Sequence, residues 1–350
     1  MLRRPGFEIT GWHVSQLGGG AGNPVSVGLY RLSGSGQDGT GHANWSIVLK
    51  IIQNPANVGA TNMGEGDDLA HWNYWRREPL VYQSGLLEGL PAGLSAPHFY
   101  GAFELPGGII WLWLEDIPDP PGAAWTLDRY ARVARCLGEL NGSHIEAEKL
   151  PAYPWLSRHQ SRQWVANLPQ WQSLPWEHPL VLSRYPQPKE NLFLRMLTEI
   201  ERFLDRLEHL PQSLVHGDTY PTNFKLRGDE IVILDWALTG LAPYGDDLGQ
   251  LVFGAQTNLP DIQPEEVDRV LFNSYLAGLH QGGCDADPRL VRLGYTTSAA
   301  IRVGLFQVYL LSLAVGQGMN QEGKAVGAGA YCFENALAAE AYELLESTAA

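Results

Sequence analysis

Hydrophobic and polar positions divide the chain into two regimes. In the first third, apolar and β-branched residues come in short runs, Val25 to Leu32 and Trp45 to Ile52, on either side of the polar stretch SGSGQDGTGHAN. Short runs bounded by glycine-rich turns predict strands, here a hairpin with the polar stretch as its tip. A second polar stretch, QNPANVGATNMGEGDD, leads into a helical pattern from about Leu69 to Leu87, in which Pro79 marks either a start or a kink. Two more strands are predicted around His98 to Phe103 and Ile109 to Leu114. From Thr126 the apolar spacing becomes helical, with Tyr130, Val133, Ala134, Leu137 and Leu140 on one face, and it stays mostly helical to the end. The expectation is α+β: a small antiparallel sheet, then a larger helical region, changing over within EDIPDPPGAAW.

One segment departs from the helical regime. SLVHGDTYPTNFKLRGDEIVILDWAL contains two short apolar strands, around Asn223 to Leu226 and Ile231 to Leu234, joined by Arg227-Gly228-Asp229-Glu230. A hairpin with polar residues at both ends, set among helices, is a place where loops carry chemistry.

Composition narrows the classes. At 45% hydrophobic and 18% charged over 350 residues the chain can bury a large core, so disorder is not expected. A formal net charge of −14 argues against nucleic-acid or anionic-membrane partners, which need clustered Lys and Arg. Cys136, Cys284 and Cys332 are scattered, without a metal or disulfide pattern, and fit a reducing cytoplasm. No signal-peptide pattern opens the chain, and the apolar run Ala299 to Val315, interrupted by Arg302 and Gln307, reads as a buried helix rather than a membrane span.

The densest chemical signal is His216-Gly217-Asp218, with Asn223 five residues after the aspartate and Asp235 directly after the second strand. Phosphoryl transfer needs an acceptor for the attacking hydroxyl's proton and hard oxygen ligands for Mg2+. Asp218 fits the base, and Asn223 with Asp235 fits the metal ligands; His216 is read as a loop anchor. For any single residue an ordinary turn or cap is the better reading, but the joint spacing outweighs it.

HGDTYPTN, followed by LDW at Leu234 to Trp236 and DL at Asp247-Leu248, resembles the aminoglycoside phosphotransferase and choline kinase family of protein-kinase-like small-molecule kinases. The resemblance implies a bilobal protein-kinase-like fold, with a nucleotide-binding lobe over residues 1–116 and a catalytic, substrate-binding helical lobe over 117–350. It implies ATP and Mg2+ as cofactors and an alcohol group on a small molecule as acceptor. It further implies that Gly19, Gly20 and Gly22 fold over phosphates, that Lys50 contacts phosphates and pairs with Glu78 (Glu88 being the alternative acid), and that backbone groups from Glu115 to Ile117 hold the base. Asp247 is then a structural residue bonded to the catalytic loop.

Tyr220 stands where many protein kinases carry a lysine, which favours a small acceptor over a peptide. A catalytically silent binding module is the alternative, although Lys50, Asp218, Asn223 and Asp235 are all present; a protein kinase is less favoured. Trp155, Trp164, Trp171 and Trp176 are read as packing residues before cage residues. Asp246, Asp247, Asp261, Glu265 and Glu266 are read as favouring a cationic acceptor or as ordinary helix-start acids. No cation cluster near the motif suits an anionic acceptor; Arg302 and the pair Arg158 and Arg162 are the residues to inspect for one. Oligomeric state is not legible.

Overall fold

The computed structural model describes residues 6–18, 23–60, 68–118, 125–145, 150–167, 171–316 and 333–348. The chain packs as two compact units, one of Met1–Ala123, Pro154–Ser157 and Thr222–Leu238, the other of Ala124–Tyr153, Arg158–Pro221 and Thr239–Ala350. The strands are β1 (Glu8–Leu17), β2 (Ser26–Asp38), β3 (Gly41–Gln53), β4 (Leu94–Ser95), β5 (Phe99–Leu105), β6 (Ile109–Glu115), β7 (Gln212–Val215), β8 (Phe224–Arg227), β9 (Glu230–Ile233) and β10 (Gly240–Pro243). The helices are α1 (Arg77–Gln83), α2 (Leu127–Ser143), α3 (Gln160–Asn167), α4 (Pro179–Arg184), α5 (Leu192–Thr198), α6 (Ile200–His209), α7 (Leu248–Asn258), α8 (Pro264–Gln281), α9 (Pro288–Gly316) and α10 (Phe333–Ser347).

The first unit is built on a five-stranded antiparallel sheet in the order β1-β2-β3-β6-β5. Both of its faces carry buried apolar side chains: Trp45, Ile47 and Leu49 of β3 on one, and Ile52 of β3 with Ile110, Leu112 and Leu114 of β6 on the other, where Ile52 pairs with Ile110 and Lys50 with Leu112. The expected long polar hairpin tip is not a loop. β2 and β3 stay paired out to Asp38 opposite Gly41, and the turn is only Gly39-Thr40, shaped by Asp38 Oδ1 accepting from the Thr40 N–H at 2.7 Å. The polar segment is held in strand form because β1 pairs along its other side, with Ser33 opposite His13 and Gly36 opposite Ile9. Glycine at 34 permits that approach: a Cβ there would meet the Gly11 carbonyl oxygen at 2.0 Å. β1 itself was not expected, because nearly every residue in it is exposed and it has no buried face to pattern.

The expected helix from Leu69 to Leu87 is also corrected. Only Arg77–Gln83 is helical, with Pro79 in its first turn, where a missing N–H costs nothing. Before it, the chain turns back on itself around the Arg77 guanidinium, which donates to the carbonyls of Leu69, His71 and Trp72. β8 and β9 form the expected hairpin, and β4 adds to β9 in parallel.

In the second unit, α2 starts at the Thr126 cap and buries Tyr130, Val133, Ala134, Leu137 and Leu140, as the spacing predicts, each worth about 1.5–3 kcal/mol in transfer from water for the larger side chains. α8 lies tightly against it: a Cβ at Gly138 would come within 2.2 Å of the Tyr275 carbonyl oxygen, and one at Gly278 within 2.0 Å of that of Arg135. α9 is long and apolar enough to cross a bilayer by length and composition, but it packs against α7 and α10 and is buried over most of its length. α10 is fastened by buried Glu334, which accepts from Arg184 at 2.6 Å and from Tyr185 at 3.1 Å.

Candidate active site

In the first unit, Lys50 leaves β3 on the face opposite Leu49, since successive strand residues alternate. Its Nζ lies 2.6 Å from Glu78 Oε2 and 2.7 Å from Asp235 Oδ1. Glu78 is placed by the first turn of α1 and is almost fully buried; Glu88 falls in the separate turn Leu86–Gly89. Burial disfavours the Lys50 ammonium, but the two carboxylates more than offset this and hold its pKa above the ordinary value. Burial pushes the Glu78 carboxyl up to about 7, with Asp235 adding to the rise and Lys50 opposing it.

Asp235 has φ 59°, the left-handed region that an L-residue seldom occupies. Such a backbone persists only where its surroundings over-determine it. Here Trp236 just beyond is fully buried, and the Ala237 carbonyl accepts from Arg77 at 3.0 Å. On the other side, the Leu234 N–H donates to the Asn223 carbonyl at 2.8 Å, so the hairpin keeps Asn223 and Asp235 in register.

Among the described residues no group of three or more His, Cys, Asp and Glu forms a metal cluster. One amide oxygen and one partly exposed carboxylate suit Mg2+, which takes few protein ligands and retains water.

The end of β6 is also firmly held. The Glu115 N–H donates to the His98 carbonyl at 2.9 Å, and its carboxylate pairs with Arg227 at 2.9 Å. Asp116 accepts two bonds from Arg31, at 2.8 and 2.9 Å, and Ile117 is buried. Gly19, Gly20 and Gly22 lie outside the described residues.

In the second unit, the loop carrying Asp218 follows β7. Asp247 accepts from the His216 N–H at 3.0 Å and the Gly217 N–H at 2.9 Å, while His216 Nδ1 accepts from the Asp218 N–H at 3.2 Å. Asp247 therefore bonds the loop, and His216 anchors it from within. Burial raises the Asp247 carboxyl to about 6, with the charge of Asp246 adding to the rise and the two N–H bonds opposing it. Asn141 of α2 donates to both the Leu214 carbonyl and Asp247, and Gln250 accepts from the Thr219 N–H. Pro221 lies so close to α7 that a Cβ at Gly254 would meet its ring at 2.3 Å. Tyr220 is a phenol pushed up to about 12 by burial and by Asp218, and its ring lies 6.5 Å from that of Phe306.

Arg302 donates to Asp246 at 2.8 Å, Arg227 pairs with Glu115 and Glu230, and Arg162 pairs with Glu201, Asp205 and Glu208. Trp155 is buried and Trp176 packs 6.1 Å from Tyr185, whereas Trp164 covers the Arg302 guanidinium at 5.3 Å. The Trp171 side chain lies outside the described residues. Sequence reasoning missed Arg77, Asn141 and Gln250. Only Asn141 carried a signal, as a polar residue one turn beyond Leu137 on the apolar face of α2.

No curated protein sequence matches the chain. Among solved structures, similarity is found to an amicoumacin kinase bound to AMP-PNP, Ca2+ and its ligand, at 17% identity and TM-score 0.49, covering 96% of this chain and 88% of that one. It is also found to the choline kinase LicA from Streptococcus pneumoniae, at 13% identity and TM-score 0.45, covering 96% and 93%. The sequence profile described as the phosphotransferase enzyme family matches residues 89–284, more than half of the chain, which carries all of the HGDTYPTN and LDW motifs. The chain belongs to the phosphotransferase enzyme family.

Proposed function

We propose that the protein transfers the γ-phosphoryl group of ATP, with Mg2+, to a hydroxyl of a small polar acceptor of the sugar, aminoglycoside or amino-alcohol type. The observation that carries this reading is the Lys50 ammonium held at 2.6 Å from buried Glu78 and 2.7 Å from Asp235, three residues far apart in sequence brought together in the arrangement that binding of phosphates and a cation requires. In this reading Lys50 contacts the donor phosphates, with Glu78 fixing its direction, and Asn223 and Asp235 hold the metal. Mg2+, when bound, supplies positive charge beside the phosphates. Gly19, Gly20 and Gly22 approach the phosphates, and backbone groups of Glu115 to Ile117 hold the base; the Glu115 N–H is already used, so its contribution is the carbonyl.

Asp218 accepts the hydroxyl proton as the new O–P bond forms and the bond to the bridging oxygen of ADP breaks. The nucleotide role is assigned to residues 1–116, the acceptor and catalytic roles to 117–350, and the location to the cytoplasm. The acceptor is neutral or cationic, because Arg162, Arg227 and Arg302 are each already paired with carboxylates and offer no open anion clamp. The test is ADP release over a panel of amino alcohols, aminoglycosides, sugars and nucleosides, beside anionic alcohols and generic protein substrates. Turnover confined to phosphorylated or carboxylated acceptors, or to proteins, would overturn the acceptor class; absence of Mg-ATP binding would overturn the whole reading.

A further inference from the structure

We propose that Arg302, paired with Asp246, is a positioning residue that sets the direction of Asp218 by holding the peptide between Gly217 and Asp218. The assignment of Asp218 as base rests on the proposed function above; the clamp itself rests on geometry within the second unit. Gly217 adopts φ 80°, a left-handed turn open to glycine at little cost, so the backbone here is not stiffened by its own sterics and needs external restraint. That restraint is complete. The Gly217 N–H goes to Asp247 Oδ1 at 2.9 Å, the Gly217 carbonyl accepts from Arg302 Nη2, and the Asp218 N–H goes to His216 Nδ1 at 3.2 Å. The peptide preceding Asp218 is thus held at its oxygen by Arg302 and at its N–H by His216, which fixes the plane from which the Asp218 side chain departs.

Arg302 sits on α9, 3% exposed, among apolar residues, and Asp246 is 1% exposed. A buried ion pair is a poor way to gain stability, because desolvation consumes most of the Coulombic attraction, and a well-packed apolar pair serves as well or better. What the pair provides here is a rigid planar fork whose one arm is fixed by Asp246 at 2.8 Å and whose other arm reaches the loop carbonyl. Trp164 of α3 covers the guanidinium, its ring centroid 5.3 Å from the central carbon, and keeps the fork in place. The carbonyl that Arg302 reaches belongs to the residue directly before the proposed base.

The test uses the full chain with Arg302→Lys, Arg302→Met and the double variant Arg302→Met/Asp246→Asn, the last avoiding an orphaned buried carboxylate should the single change fail to fold. Expected for the double variant is a thermal midpoint close to wild type, unchanged nucleotide KM and a turnover lower by ~10- to 100-fold, the scale of a misplaced catalytic group. Arg302→Lys should recover part of it, since lysine keeps the charge and loses the fork. Amide hydrogen exchange over residues 214–221 should quicken in both methionine variants while exchange in β7's partner β10 stays slow. Wild-type turnover in the double variant, or a loss of turnover matched by a loss of nucleotide affinity, overturns the positioning role. If the wild-type protein binds Mg-ATP but phosphorylates no acceptor, the proposed function fails by itself, and the exchange data still decide the clamp: unchanged exchange at 214–221 overturns it.

Discussion

The two ends of the catalytic motif are secured by opposite means. Around Asp235 the first unit uses charge against charge, with a lysine cation at 2.6 and 2.7 Å from two carboxylates. Around Asp218 the second unit uses a carboxylate, Asp247, to collect backbone N–H groups, and an arginine to collect a backbone carbonyl. Charge pairs tolerate small displacements and respond to bound ions, whereas hydrogen bonds to peptides fix angles. The first arrangement suits the charged ligand proposed for Lys50 and Asp235, and the second suits the proposed role of Asp218 as a base that meets one hydroxyl.

The largest break in this comparison is Asp218→Asn, which removes the proposed proton acceptor while keeping the side chain's size. Turnover should fall ~100- to 10,000-fold with Mg-ATP affinity near wild type, and steady-state kinetics beside calorimetry check both halves. Next is Asp247→Ala. It leaves the buried N–H groups of His216 and Gly217 without their acceptor, at about 1–3 kcal/mol each, so denaturant unfolding should show several kcal/mol of lost stability.

pH sharpens the contrast at a smaller scale. The Asp247 carboxyl is raised to about 6 when folded against 3.8 when unfolded, so the folded state binds the proton more readily. Its contribution to stability is fully present below about pH 4, is lost as pH rises to about 6, and is flat above, for at most about 3 kcal/mol. Unfolding curves of wild type minus Asp247→Asn should show that downward slope; a difference that rises with pH would refute it. The smallest effect expected separates the two proposed metal ligands: Asp235→Ala should weaken Mg-dependent nucleotide binding about tenfold more than Asn223→Ala, because an anion offsets more of the cation's charge than an amide does. Calorimetry with and without the metal decides it.

What was legible in the sequence follows from where the information lies. β3, β6, β9 and α2 each bury one face or a short apolar run, and their spacing showed it. β1 buries no face, so no pattern betrays it. Residues 69–76 misled because Trp72 and Trp75 are buried in a turn wrapped around Arg77, and burial alone looks helical when tryptophans fall three apart. The motif from His216 to Asp235 was readable because its chemistry is local. Arg302 was read as a residue to inspect for anion binding and Asp246 as negative charge, since their pairing spans 56 residues and no local spacing encodes it.

The exposed ribbon of β1 has a consequence for handling the protein. Its outer row of peptide groups pairs with no other described strand, and EITGWHVSQL has neither lysine nor proline to discourage a visiting strand, while Trp12 and Val14 stand open to water. Such an edge is a template for strand addition, so concentrated preparations are prone to sheet-to-sheet association at this margin. A lysine in place of Val14 supplies the gatekeeper lysine that the native edge lacks.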